Sequence, residues 1–527
     1  MRIDSNATSI LSVGAITVAA GAIGWRLISK KNDDGIPEVP SWIPHIGSTA
    51  EYFTSVVCFM EKYFNKYKGA FKATILGRTW YFVTDPADIR KVFRSSERNV
   101  SMVEAISIIS QGLLPTEEIE GKNAPEHVKK LFRGKKMEGP SSTPYFVHAL
   151  KHLPAWMPQL QEAFQYNFAT YLQNEGEKDL FEWATDLIGL ATSRVMMGKD
   201  ASIDEVLEWM YLVKECDVES AFSGQGVVKA TKTFVELAIK GERPIYVKTR
   251  QFAYPYIDKE IENYLAGKPE NGSVVCSLVH TAGARLKAKE NPDVFEDFKV
   301  RIANDLILFT FAAITNSFGA AAWSLFHILK NTDGCGDKVR SEIASQTDIS
   351  VLSETLEMMV LEILRLYSPG TTTRLVKKPL QLPSDPSKII PTGSLICIGG
   401  AMAGREAEAY PDPCKFDPGR FDPASRDQRS SENFFGFGFG AHPCVGRKFA
   451  TSEIAIFVSE ALKTFDFELV ETNYKEAVEK NNTMAVAMTS RMINNVPNHP
   501  ILDPAQPGSI WRPIHPIMIK YKRKSGF

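Results

Sequence analysis

The stretch that most constrains this chain is "FFGFGFGAHPCVGRKFATSEIAIF", Phe434 to Phe457, a glycine-rich run that reaches one cysteine and continues into an amphipathic helical pattern. Glycines at 438, 440 and 446 permit positive φ and let the backbone approach a flat object more closely than side chains would allow. Cys444 falls at the start of the helix that continues through Phe457, where unpaired amides and the helix dipole favour a thiolate. A lone cysteine beside a glycine turn is more often an inert buried thiol, so the rest of the sequence has to decide.

Seven cysteines, at 58, 216, 276, 335, 397, 414 and 444, form no C-x-x-C spacing, which argues against a zinc site or a disulfide scaffold. Unpaired thiols suit a cytosol-facing body. With 61 basic against 62 acidic residues and a net charge of -1, nothing electrostatic points to a nucleic-acid backbone as partner. The 527 residues leave ample chain for a deep core.

The first residues differ in composition from the rest. From Thr8 to Trp25 there is no charge, and then come Arg26, Lys30 and Lys31, so residues 1–31 read as an N-terminal membrane anchor. A cleaved secretory signal and a buried core helix are the competing readings. The positive charges follow the apolar run instead of preceding it, which opposes cleavage and keeps the body on the cytosolic side. Residues 32–47, with Pro37, Pro40, Pro44 and Gly47, read as a stiff hinge, and 48–527 as one large catalytic domain.

Within that body, "AFKATILGRTWYFVTDPADIRKVFRSS" predicts two strands around a Gly77 turn, then a helix begun by Asp85 with Pro86 at its first position. The pattern from about 145 to 330 is mostly helical, broken near 265 to 273. Asp297 to Lys330 predicts a long helix, apolar nearly all round beyond Asp305, of the kind that crosses a protein's middle. "SETLEMMVLEILRLYSPG" predicts a capped amphipathic helix that stops before Pro369. Short strands follow from Lys378 to Ile398, and "IWRPIHPIMIKYKRK" holds another. The fold class is mainly α with small β-sheets, α+β.

A thiolate poised by backbone donors meets the requirement of an axial ligand to haem iron, and electron donation from such a sulfur favours O–O cleavage. His442 can donate to a carboxylate of the same group. Phe437, Gly440, Cys444 and Gly446 fit F-x-x-G-x-x-x-C-x-G, and on that signature the chain resembles the cytochrome P-450 superfamily. The resemblance implies the cytochrome P-450 fold and haem b, with Cys444 as iron ligand and Phe437 and Gly438 lining the cofactor. Glu362 and Arg365 resemble the family's E-x-x-R pair, three apart on one helix face, and Arg420 in "FDPGRF" resembles its P-x-R-F element. Together they imply a buried structural charge triad, costly to break. Alone, such spacing usually marks a solvated ion pair. Arg374 resembles the propionate-binding arginine; its bland reading is a surface charge on a strand. The family's W-x-x-x-R contact is unassigned, since Trp156 is followed by Leu160.

The central helix departs from the family pattern of an acid followed by threonine. Thr315 stands where the acid is expected and Asn316 where the threonine is. In the functional reading Asn316 hydrogen-bonds the oxygen ligand or an ordered water, assisted by Thr315 or Ser317. In the bland one these are polar groups satisfied locally in a buried helix. Ala312, Ala313 and Thr372, the last in a loop from Thr371 to Thr373, should line the substrate pocket. The helix is similar to that of the branch holding sterol 7-alpha- and 12-alpha-hydroxylases and prostacyclin synthase.

The resemblance implies a monooxygenase that oxidises a lipophilic substrate such as a sterol or terpenoid. Electrons would come from NADPH-cytochrome P-450 reductase, with cytochrome b5 as a further partner, at the endoplasmic reticulum membrane. The alternatives are a haem-thiolate isomerase or dehydratase acting on a peroxide without a reductase, and a haem-binding sensor or carrier without turnover.

Overall fold

The computed structural model describes residues 34–41, 47–67, 69–75, 78–102, 104–105, 148–216, 244–286, 292–368, 371–424, 432–470, 499–503 and 510–526. The anchor expected over 1–31 lies outside the described residues, as do Pro44 and Gly77.

Near the N-terminus the expected strands form over Phe71–Ile75 and Arg78–Val83, antiparallel, with Phe71 opposite Phe82. The helix Pro86–Arg94 follows, and its N-cap Asp85 accepts from the backbone N–H of Ala87 at 2.8 Å and of Asp88 at 3.3 Å. A cap of this kind satisfies amides the helix itself cannot reach. These strands belong to a five-stranded sheet that continues through Leu395–Gly399, Thr371–Val376 and Val100–Ser101. Arg78–Val83 runs parallel to Leu395–Gly399, so chain segments more than 300 residues apart share one sheet. Thr371 to Thr373 are therefore strand, not the loop expected from sequence.

The larger part is helical. Leu153–Tyr171, Leu180–Met197, Ile203–Glu215, Pro244–Leu265 and Val274–Leu286 pack around the central helix Pro292–Lys330. The central helix begins five residues earlier than the pattern indicated, with Pro292 at its first turn, where a missing N–H costs nothing. Among the described residues it contains the helix long and apolar enough to cross a membrane, Phe298–Lys330. Most of that span is buried inside the protein, so its apolar surface serves the core.

The helix Glu354–Tyr367, which carries Glu362 and Arg365, differs from expectation in its cap. Ser353 occupies the N-cap without making a side-chain bond. Glu342 of the neighbouring helix Cys335–Ser345 serves the first turn instead, accepting from Thr355 N at 3.0 Å and from Thr355 Oγ1 at 2.6 Å. The other end of this helix is fixed by a polar chain inside the aromatic core. The His499 Nδ1 contacts the Pro500 carbonyl at 2.8 Å, the Tyr367 hydroxyl lies 2.7 Å from His499 Nε2 and 2.9 Å from His327 Nε2, and His327 Nδ1 is 3.2 Å from Thr332 Oγ1. A carbonyl can only accept, so the His499 proton sits on Nδ1 and Tyr367 donates to its Nε2. The Tyr367 oxygen then accepts from His327 Nε2, and Thr332 donates to His327 Nδ1. Burial holds both imidazoles neutral, pulling His499 down to about 4 and His327 well below its ordinary value. Trp323 of the central helix stacks on the Tyr367 ring at 4.2 Å and donates its indole N–H to the Trp511 carbonyl at 2.9 Å.

Candidate functional site

The helix Arg447–Thr464 begins three residues after Cys444, with Gly446 at the N-cap. Before it, Gly438–Phe439 and His442–Pro443 form a short antiparallel hairpin. The hairpin closes tightly on the cysteine, whose N–H donates to the Phe437 carbonyl at 2.6 Å. It is also tied to the N-terminal region, since Ala441 donates to the Phe93 carbonyl at 2.9 Å. Gly440 is what permits this approach: its φ is +61°, and a Cβ there would stand 2.7 Å from the Phe93 carbonyl oxygen. Phe93 and Phe435 stack beneath the contact, nearly parallel at 5.7 Å.

Cys444 is free and exposed by surface area, although protein crowds it on most sides. Burial pushes its thiol up, while backbone groups of Gly446 and Arg447 and the Arg447 charge pull the other way. The amide effect expected from sequence is present, and desolvation outweighs it. A thiolate here calls for a positive partner of its own, which a bound iron supplies. Phe437 is half-buried under the Arg447 guanidinium, 5.0 Å from the ring centre. Gly438 takes a φ of +69° in the hairpin. The His442 backbone lies in the hairpin, and its side chain is outside what is described.

Arg374 tests whether the site fits an anionic cofactor. It is 1 % exposed, donating to Thr372 Oγ1 at 2.6 Å and to the Thr373 carbonyl at 2.9 Å, with its Nε left without a partner. Burial pulls its guanidinium down to about 10, with Glu97 opposing. A buried cation that keeps a free donor is costly unless an anion joins it, which is the demand a haem propionate meets. The surface-charge reading of Arg374 is excluded by its burial. Thr372, expected in the substrate pocket, commits its hydroxyl to this arginine.

The charge triad is present. Arg365 grips Glu362 through Nε and a terminal nitrogen, both at 2.7 Å, with neither side chain exposed. Its remaining donors reach the carbonyls of Gly404 at 2.8 Å, Pro413 at 2.7 Å and Lys415 at 3.2 Å. Glu362 also accepts from Asp417 N at 2.9 Å and has Arg420 Nε at 3.5 Å. One bidentate pair thus anchors the proline-rich loop to the helix core.

On the central helix, Ala312 and Asn316 are exposed one turn apart, Thr315 is half-buried and Ala313 is buried. Thr315 donates to the Phe311 carbonyl at 2.8 Å. The Asn316 amide makes only long contacts, 3.5 Å to the Ala312 carbonyl and 3.4 Å to Thr315 Oγ1. The bland sequence reading had Asn316 satisfied locally in a buried helix; the structure leaves it open, with hydrogen-bonding capacity to spare. Phe309 of this helix meets Phe449 of the cysteine helix edge-on at 5.4 Å, and Trp156 joins them at 5.7 Å from Phe309. Trp156 is fully buried and donates to Ser277 Oγ at 3.0 Å.

Sequence reasoning missed Glu453, although it lies in the stretch that opened the reading. It is wholly buried on the cysteine helix, where Thr192 Oγ1 donates to its Oε1. The available signal was an acid at helical spacing on an apolar stripe, four residues after Phe449.

A cysteine presented by a glycine hairpin, next to a helix bearing a buried charge pair, defines the class: a haem-thiolate oxidoreductase. The cytochrome P450 family model matches residues 37–494, and the chain belongs to that family as a cytochrome P450 monooxygenase that carries cysteine-ligated haem. Similar proteins include the lanosterol 14-alpha demethylase of Bos taurus, 23% identical over 82% of this chain and 83% of its own length. The 24-hydroxycholesterol 7-alpha-hydroxylase of Mus musculus is 22% identical over 88% and 93%. The cytochrome P450 monooxygenase pynD of Aspergillus niger is 29% identical over a shorter span, 37% of this chain and 46% of its own.

Proposed function

We propose that this cytochrome P450 inserts one oxygen atom into a lipophilic polycyclic molecule of the sterol or terpenoid kind. Its electrons would come from NADPH through NADPH-cytochrome P-450 reductase, with cytochrome b5 as auxiliary donor. Residues 1–31 would hold it on the endoplasmic reticulum membrane with the body 48–527 in the cytosol. The observation that carries this reading is the exposed Ala312 and Asn316 face on a helix that is otherwise buried and apolar. It leaves room for a bulky apolar molecule and one amide to order oxygen or water beside it. The names of two relatives, a lanosterol demethylase and a hydroxycholesterol hydroxylase, favour a sterol-like substrate.

The haem, when bound, supplies activation of dioxygen. The protein's part falls to named residues. Cys444 would hold the iron from the hairpin, and Arg374 would take a propionate with its free Nε. Asn316 and Thr315 orient a hydrogen-bonded water on the helix face, and Ala312 and Ala313 keep the space above it open. Glu362, Arg365 and Arg420 fix the loop beneath.

The test is turnover in membranes containing the protein and a reductase, supplied with lipophilic extract and labelled dioxygen, with and without NADPH. Label in a new product only with NADPH is the expected result. A product formed equally without NADPH or dioxygen would replace this reading with peroxide rearrangement, for which the missing acid on the central helix is the favouring observation.

A further inference from the structure

We propose that the substrate is a lipophilic carboxylic acid, and that Arg301 of the central helix holds its carboxylate while the far end of the molecule lies at Asn316. Six of the described residues from 301 to 328 keep surface: Arg301, Leu308, Phe311, Ala312, Thr315 and Asn316. They fall in one stripe, since Arg301, Leu308, Ala312 and Asn316 follow the i, i+7, i+11, i+15 spacing of a single helix face, with Phe311 and Thr315 along its edge. Ala303, Leu306 and Thr310, on the other faces, are sealed in the core. The stripe is polar at its two ends and apolar between them.

Burial decides which charge the upstream end presents. Arg301 is half-buried, whereas Asp305, one turn on in the same row, is 3 % exposed. The row therefore offers a guanidinium at its surface and withdraws its carboxylate. Arg250 brings a second guanidinium to this level: it reaches over from the helix Pro244–Leu265 and donates to Asn304 Oδ1 at 3.3 Å, with both residues buried. A guanidinium carries five donors in a planar fork, more than one protein neighbour takes up, and it matches a carboxylate in both charge and shape. An acid lying along an apolar stripe gains a charge-assisted pair there that a neutral molecule does not.

The stripe also sets a length. Arg301 and Ala312 are three turns apart, about 16 Å along the axis, and Asn316 lies about 6 Å further on. A skeleton of that length rests on Leu308 and Phe311, with its carboxylate at Arg301 and its opposite end at Thr315 and Asn316, the end given to oxygen. Oxidation then falls on the part of the molecule remote from the carboxylate. This inference rests on the proposed function, whose substrate class it narrows.

The experiment titrates the full-length holoprotein with ω-imidazolyl alkanoic acids of graded chain length, with their methyl esters and with the matching alcohols. The imidazole ligates the iron and shifts the Soret band, so each titration gives a Kd without NADPH or a reductase. At the length that spans the stripe the acid should bind about tenfold or more tightly than its ester and its alcohol, and the advantage should shrink for shorter chains. R301Q should bring the acid down to the ester while leaving the ester as it was, and R301K should keep part of the advantage. Equal affinity of acid and ester at every length overturns the proposal, as does an advantage that survives in R301Q. An alcohol that binds as well as the acid overturns it in favour of a neutral polar end. No Soret shift with any probe overturns it too, since no molecule then reaches from Arg301 to the iron. The wild-type comparison decides the matter by itself should R301Q fail to load haem. Failure of the monooxygenase reading shows separately, as product formed without NADPH or dioxygen.

Discussion

Replacing Tyr367 by Phe isolates one hydroxyl at the meeting point of three chain segments. The phenyl ring keeps the 4.2 Å stack on Trp323, so the change removes hydrogen bonds and little else. The hydroxyl donates to His499 at 2.7 Å and accepts from His327 at 2.9 Å, in a site where both rings are buried and neutral. Its loss strands one acceptor and one donor. Each stranded group costs about 1–3 kcal/mol, so Y367F should lose about 2–6 kcal/mol. The measure is equilibrium denaturation of the holoprotein, comparing midpoints at equal slope. Because Tyr367 ends the helix bearing Glu362 and Arg365, haem release should move to lower denaturant together with unfolding. A loss below about 0.5 kcal/mol would refute the hydrogen-bond chain and the tautomers derived from it.

The same cluster predicts acid sensitivity. Below about 6.5 the unfolded chain protonates His499 while the folded one resists until about 4, so stability falls across that window and levels off below it. For His499 alone the loss amounts to about 3 kcal/mol, with His327 adding to it, and denaturation midpoints measured across the window give the slope. Arg374→Leu should weaken haem retention about 10- to 100-fold, read by transfer of haem to apomyoglobin, while leaving the apoprotein no less stable. Arg365→Lys keeps the charge but cannot reach Glu362 and three carbonyls at once; it should cost about 2–4 kcal/mol in denaturant and release haem. Asn316→Ala should raise the share of NADPH electrons lost to hydrogen peroxide, and unchanged coupling would remove Asn316 from oxygen handling.

The elements that could be read from sequence are those whose cause is local. Asp85 and Pro86 announce a helix start because cap and ring act within one turn. The cysteine stretch could be read because glycine, thiol and helix start lie within ten residues. What escaped depends on distant partners. Ser353 satisfied every local rule for a cap, yet Glu342 from another helix took over its work. The bond from Arg374 to the Thr372 hydroxyl likewise depends on how the strand folds and could not be read from the sequence. For Asn316 the sequence left two readings, a group that handles oxygen and a polar group satisfied in a buried helix, and only the packed structure shows which face of the helix stays open. Glu453 is the sharpest case: its environment is assembled from Thr192 and Ser317, neither of which is near it in sequence.

The contact of Gly440 and Ala441 with the Phe93 carbonyl bears on how the molecule is made. The cysteine hairpin takes its seat on a backbone position about 350 residues upstream. During synthesis that seat emerges long before its occupant and must wait for it. Closing so long a loop is slow, and domains of this length commonly collect intermediates on the way. The cysteine hairpin is therefore expected to mature only after both partners of this contact have emerged, with haem capture as a late, commitment-like step.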